Sequence, residues 1–160
     1  MSIKLKMGGS FTFVGKKQKV HSWQSLGVDE IPLFLKDFGV VNTFKECESI
    51  YSQIKKSLND VNVLAVRLFD DDPSRVCESF ISESLSEKII EGAAILAKAL
   101  EVKGVAFIYE KNNYATRKIY SDLDDETSDS YSKMADLFDN IKFVTVPVDG
   151  KKYPIGTMHD

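Results

Sequence analysis

Histidine and cysteine are scarce in this chain of 160 residues, with two of each. The histidines, His21 and His159, have no Ser, Cys or Asp at a spacing diagnostic of a nucleophile–base pair. The cysteines, Cys47 and Cys77, are too few for a disulfide framework or an iron–sulfur centre. Both lie among apolar and helical neighbours and are expected to be buried free thiols. Excess positive charge is also lacking. The formal net charge of -3 provides no field for a nucleic-acid backbone. The local run Lys4, Lys6, Lys16, Lys17 and Lys19 reads as the solvated face of a hairpin. No apolar run approaches the ~20 residues of a membrane span, and the N-terminus carries no apolar core of a signal peptide. The expectation is a cytoplasmic protein with no membrane span and no nucleic-acid partner. Neither GxxxxGK[ST] nor a GxGxxG after a strand occurs.

What is present is the composition of one folded domain over residues 1–160. Hydrophobic residues make up 43% and charged residues 28%, with ten Phe and six Tyr to fill a core. Residues 3–7 and 11–14 are apolar or alternate around Gly8, Gly9 and Ser10, which predicts an N-terminal β-hairpin. Ser22 is placed to cap a short turn carrying Trp23 and Leu26. Asp29, Glu30 and Pro32 mark a helix start and Gly39 its end. Thr43 with Glu46 has capping-box spacing, and Phe44, Cys47, Ile50, Tyr51, Ile54 and Leu58 form a stripe for a second helix.

Residues 61–69, VNVLAVRLF, have little polar relief and predict a central strand covered on both faces. A helix is expected over Ser84 to Leu100, with Leu85, Ile89, Ala93, Leu96 and Leu100 at helical spacing and Leu96 as a core anchor. Its alanines permit close packing on a sheet. Residues 105–110 form a second buried strand, Ser128 to Phe138 a further helix, and residues 141–148 a third inner strand. Strand–helix–strand units of this kind are parallel. The fold class is therefore α/β: a three-layer domain with a small parallel sheet flanked by helices and an N-terminal hairpin. Asn112 to Thr127 is the expected mobile surface segment.

A parallel sheet opens a crevice beyond the carboxyl ends of its strands. Asp70, Asp71 and Asp72 follow the first strand there, Glu110 to Asn113 the second, and Asp149 to Gly156 the third. Three adjacent aspartates raise a metal reading. Neighbouring side chains cannot all point one way, however, and Asp72-Pro73-Ser74 makes a turn unaided, so a solvated turn or helix cap is the favoured reading. Lys151, Lys152, Tyr153 and Gly156 form a short positive loop that could hold an anion, and Gly8-Gly9 with Gly15 could turn backbone N–H groups toward one.

From about Leu64 to Gly156 the chain resembles the flavin-binding domain shared by the NADH-oxidising subunit of respiratory complex I and the C subunit of Rnf-type electron-transport complexes. Asp70-Asp71-Asp72-Pro73 stands where that family carries an acidic E-x-E-P. Ile89-Ile90-Glu91-Gly92 is similar to its helix motif, Glu110-Lys111-Asn112 to its acid-then-Asn strand end, and Pro147 followed by Lys152-Tyr153-Pro154-Ile155-Gly156 to its last strand and K-Y-P-x-G loop. The resemblance implies an FMN-binding fold. With the crevice, it singles out Asp70, Asp72, Glu110, Asn112, Lys152 and Gly156 as candidate cofactor-binding residues. The family's FMN loop resembles G-x-G-G-A-G-F-P-T-G; here only Gly8-Gly9 and Gly15-Lys16-Lys17 could correspond, and its strand-end Asn falls on Arg67.

Two functions follow from these readings. The first is a non-catalytic protein-binding or assembly subunit without a cofactor, whose partner is another protein or a second copy of itself. Tyr114, Tyr120 and Tyr131 are its interface candidates. The alternative is an FMN-binding electron-transfer protein. No catalytic or metal-ligating set is identified, and whether the chain is an enzyme is left open.

Overall fold

The computed structural model describes residues 22–42, 48–58, 60–70, 77–123, 125–139 and 141–149. In chain order they form a 3-10 turn (Trp23–Ser25), α1 (Glu30–Asp37), β1 (Val41–Asn42), β2 (Glu48–Ser49), α2 (Ile50–Ser57), β3 (Val63–Arg67), α3 (Cys77–Ser84), α4 (Ser86–Leu100), β4 (Gly104–Glu110), α5 (Tyr114–Ser121), α6 (Asp129–Phe138) and β5 (Lys142–Val148). β1 and β2 pair antiparallel, while β3, β4 and β5 form a parallel sheet in that order. The chain is thus an α/β domain, as its sequence pattern indicates. The hairpin expected over residues 3–14 lies outside the described residues.

β4 is the central strand, because its apolar residues serve both neighbours. Val105, Phe107 and Tyr109 are buried on one face of the sheet, with Leu64 and Phe143 beside Val105, and Val66 and Thr145 beside Phe107. Both crossovers advance in the same direction across the sheet, so connections of the usual right hand bring their helices to one face. Ala93, Ala94 and Ala97 of α4, Tyr120 of α5, and Met134 and Phe138 of α6 close over the strands there. Alanine lets α4 lie close to the strands. The opposite side of α4 carries Ala99, which packs with Ile31 of α1 and Ile54 of α2. The layers run sheet, then α4 to α6, then the α1–α2 pair.

Several expectations are corrected. The 61–69 strand is shorter and lies at an edge, and 141–148 occupies the other edge. Among the described residues neither is covered on both faces. Val63 is 55% exposed and Val144 53% exposed, and Ala65 and Val146 are also open to solvent. Pro147 fits an edge strand, since it brings no N–H to a ladder. Glu48 and Ser49 are strand residues, so α2 begins at Ile50 and not beside Thr43; residues 43–47 lie outside the described residues. Two helices, not one, span each crossover. Leu85 breaks the first pair, with φ -128° and ψ 31°, and is half exposed instead of buried. Leu96 is only partly buried, at the margin of the smaller cluster. The segment 112–127 contains α5, where Thr116 and Tyr120 are fully buried.

Gly39 ends α1 at φ +68°, a conformation that glycine adopts without steric cost. Ser128 caps α6 by accepting the N–H of Tyr131 at 3.0 Å. Trp23 is buried against the main core and donates to Glu91 at 3.3 Å.

Candidate functional site

The parallel register brings the ends of β3, β4 and β5 to one edge. Asp70 lies three residues past β3, Glu110 is the last residue of β4, Asn112 follows in the turn, and Asp149 follows β5. Three of the candidate residues therefore share the carboxyl edge of the sheet. Asp72, Lys152 and Gly156 lie outside the described residues.

Asp70 is engaged within the fold. Its Oδ1 accepts the N–H of Glu78 at 2.9 Å, and its Oδ2 accepts the N–H of Ser79 at 3.1 Å and the Ser79 hydroxyl. The first N–H groups of a helix have no partner inside it, so a carboxylate placed there satisfies them and meets the positive end of the helix dipole. Burial acts to raise the pKa of Asp70, but the hydrogen bonds from Glu78 and Ser79 outweigh it and hold the pKa at about 2. The residue ties the end of β3 to α3 across residues 71–76.

Glu110 bends back onto its own turn. Its Oε1 accepts from Asn112 Nδ2 at 3.0 Å and from the Asn112 N–H at 3.4 Å. Asn113 caps α5, its Oδ1 taking the N–H groups of Ala115 at 3.1 Å and Thr116 at 3.2 Å. Lys111 donates its N–H to the Val148 carbonyl at 2.9 Å, and its Nζ pairs with Asp149 Oδ2 at 2.9 Å. A carboxylate can serve as a ligand or as a cap. In the described residues of this edge, Asp70 works as a cap and Glu110 closes a turn.

The other motif residues are dispersed. Ile89 to Gly92 lies in the body of α4, where Glu91 meets Trp23. A side chain added at Gly92 would meet nothing within 4 Å, so no close approach demands glycine there. Arg67 stacks on Phe69, 5.7 Å from the ring centre. Among the described residues no group of three His, Cys, Asp or Glu side chains could hold a metal ion. No helix among them is long and apolar enough to cross a membrane.

Cys77 is exposed, not buried, and Cys47 lies outside the described residues. Of the tyrosines read as interface residues, Tyr114 is exposed. Tyr131 packs on Phe143, and Tyr120 is fully buried, with its hydroxyl donating to the Ser82 carbonyl at 3.2 Å. Sequence reasoning missed the open face of the sheet. There the register aligns Ala65, Ala106 and Val144 in one row and Arg67, Ile108 and Val146 in the next, with exposed Lys142 at the near end of β5. Lys142 and Pro147 were the available signals that β5 is an edge strand.

No protein-family model matches the chain, and no curated protein matches it.

Proposed function

We propose that the protein is a protein-binding or assembly subunit, non-catalytic in itself, that engages its partner through the open face of the parallel sheet. The observation that carries this reading is the apolar side chains exposed on the two edge strands of that face, Val63 and Ala65 on β3 and Val144 and Val146 on β5, in a sheet whose other face is closed by three helices. Exposed apolar side chains gathered on one face of a sheet are what a docking site presents. Sheet side chains stand on a rigid hydrogen-bonded frame, so little ordering cost accompanies binding.

Lysine substitution at Val144 and Val146 tests the reading. Both sites are exposed, so the double variant should keep the wild-type melting temperature while losing association with its partner or with itself. Unchanged association would contradict the proposal.

A second reading, an FMN-binding electron-transfer protein, is favoured by one feature: Asp70, Glu110 and Asn112 gather at the carboxyl edge of a parallel sheet. Titration with FMN, followed by flavin fluorescence, separates the two. Saturable binding at micromolar FMN, lost in Asp72→Ala and Lys152→Ala, would favour the flavin reading. No saturable change is the outcome expected of a partner-binding subunit.

A further inference from the structure

α3 is turned inside out. Its sequence, CESFISES, places Cys77, Phe80 and Ile81 on one side, with Leu85 just beyond the last turn. These positions follow the i, i+3, i+4, i+8 spacing that normally marks the buried stripe of a helix. Here all four are exposed, Phe80 by 66%. The side facing the protein is polar. Ser82 is buried, with its hydroxyl donating to the Glu78 carbonyl at 2.6 Å and its carbonyl accepting from Tyr120. Ser79 is held by Asp70.

The bonds to Asp70 and Tyr120 orient the helix; the Ser82 hydroxyl bond lies within α3 and turns with it. Turning the apolar stripe inward would leave the Asp70 carboxylate and the Tyr120 hydroxyl without these partners, and the burial of Phe80 would have to outweigh both losses. The outward stripe is therefore held by the bonds of α3 to Asp70 and Tyr120 and is not a fraying of the helix end.

Charge identifies the occupant. The stripe is bordered on the side of Phe80 by exposed Glu83, while Glu78 is half-buried with its side chain beside Asp70, and α3 contains no basic residue. We infer that α3 is a docking helix for a basic amphipathic helix of another protein, one that lays an apolar ridge on Phe80, Ile81 and Leu85 and sets Lys or Arg against Glu83. Eight residues give a ridge about 12 Å long, which two to three turns of a partner helix match. Helix-in-groove contacts of this kind are read through i, i+3, i+4 anchors, and the flanking charges set partner choice. The inference concerns a different surface from the open sheet face and does not depend on it.

The test uses the full chain and two labelled helical peptides with leucine at i, i+3, i+4 and i+7, one flanked by lysine and its twin flanked by glutamate. Fluorescence anisotropy should show saturable binding of the lysine peptide and roughly tenfold or more weaker binding of the glutamate twin. Phe80→Ser and Ile81→Ser should each weaken the lysine peptide by roughly tenfold. Glu83→Lys should shift preference toward the glutamate twin, whereas Glu126→Lys, an exposed acid on the α5–α6 connection, should change little. Wild-type affinity in Phe80→Ser would overturn the inference, as would equal weakening by Glu83→Lys and Glu126→Lys. Self-association of the chain that Phe80→Ser abolishes would overturn it in favour of a second copy as the occupant. Should Phe80→Ser fail to fold, the Glu83→Lys arm still decides.

Discussion

Asp70 shows how one residue can look like a ligand and act as a structural tie. Its carboxylate holds the first N–H groups of α3, so Asp70→Asn should lower stability near neutral pH by about 1 kcal/mol. The folded pKa of about 2 lies below the ordinary 3.8. A depressed acid stabilises the fold above its unfolded pKa, and that contribution disappears as the pH falls through about 2. Urea unfolding between neutral pH and that range should therefore show a flatter acid dependence in Asp70→Asn than in the wild type. Equal slopes would remove Asp70 from the cap. Tyr120 works at the other end of α3. Tyr120→Phe strands the Ser82 carbonyl in the interior and should cost roughly 1–2 kcal/mol. Burial pushes the Tyr120 phenol up to about 12 from 10.0. Its stabilising share is complete below 10.0 and lost as the pH rises through about 12, so the Phe variant should lose that alkaline component. An alkaline unfolding profile unchanged in Tyr120→Phe would contradict this.

At the scale of elements, α4 rests on its alanines. Ala97 is fully buried between the helix and the sheet, so Ala97→Leu should overpack the layer and cost roughly 1–3 kcal/mol. Phe107→Ala, at the centre of β4 and in ring contact with Tyr120 and Phe138, should cost roughly 3–5 kcal/mol, and Leu96→Ala distinctly less. Denaturant midpoints that ranked Leu96 above Phe107 would contradict the assignment of the core. The period of each apolar run made the three strands, α4 and α6 legible in sequence. Which strand is central was not legible. Order depends on pairing between distant segments, and VNVLAVRLF at an edge reads as apolar as a covered strand. α3 was invisible for a related reason, since its stripe faces outward and its buried contacts are serines. The capping-box spacing of Thr43 and Glu46 misled, because Glu48 and Ser49 pair with β1 as strand residues and α2 starts only at Ile50. The candidate site was legible as a place, the carboxyl edge, but not as chemistry. Sequence names Asp70, Glu110 and Asn112 without saying that their polar atoms turn to α3 and to one another.

Among the described residues the domain is asymmetric across its sheet. Helices crowd one face, while the other presents Val63, Ala65, Val144 and Val146 to solvent. On the proposed function, a protein partner covers this open face. Photo-crosslinking in cells tests it most directly, with a benzophenone side chain at position 144 of the full chain and, for comparison, at Asp129, which is exposed on α6. A partner docked there should give a discrete crosslinked species from position 144 that is missing from position 129 and lost when Val63→Lys is added. Equal crosslinking from the two positions, a species that survives Val63→Lys, or crosslinks only to residues 1–21 of the same chain would contradict it.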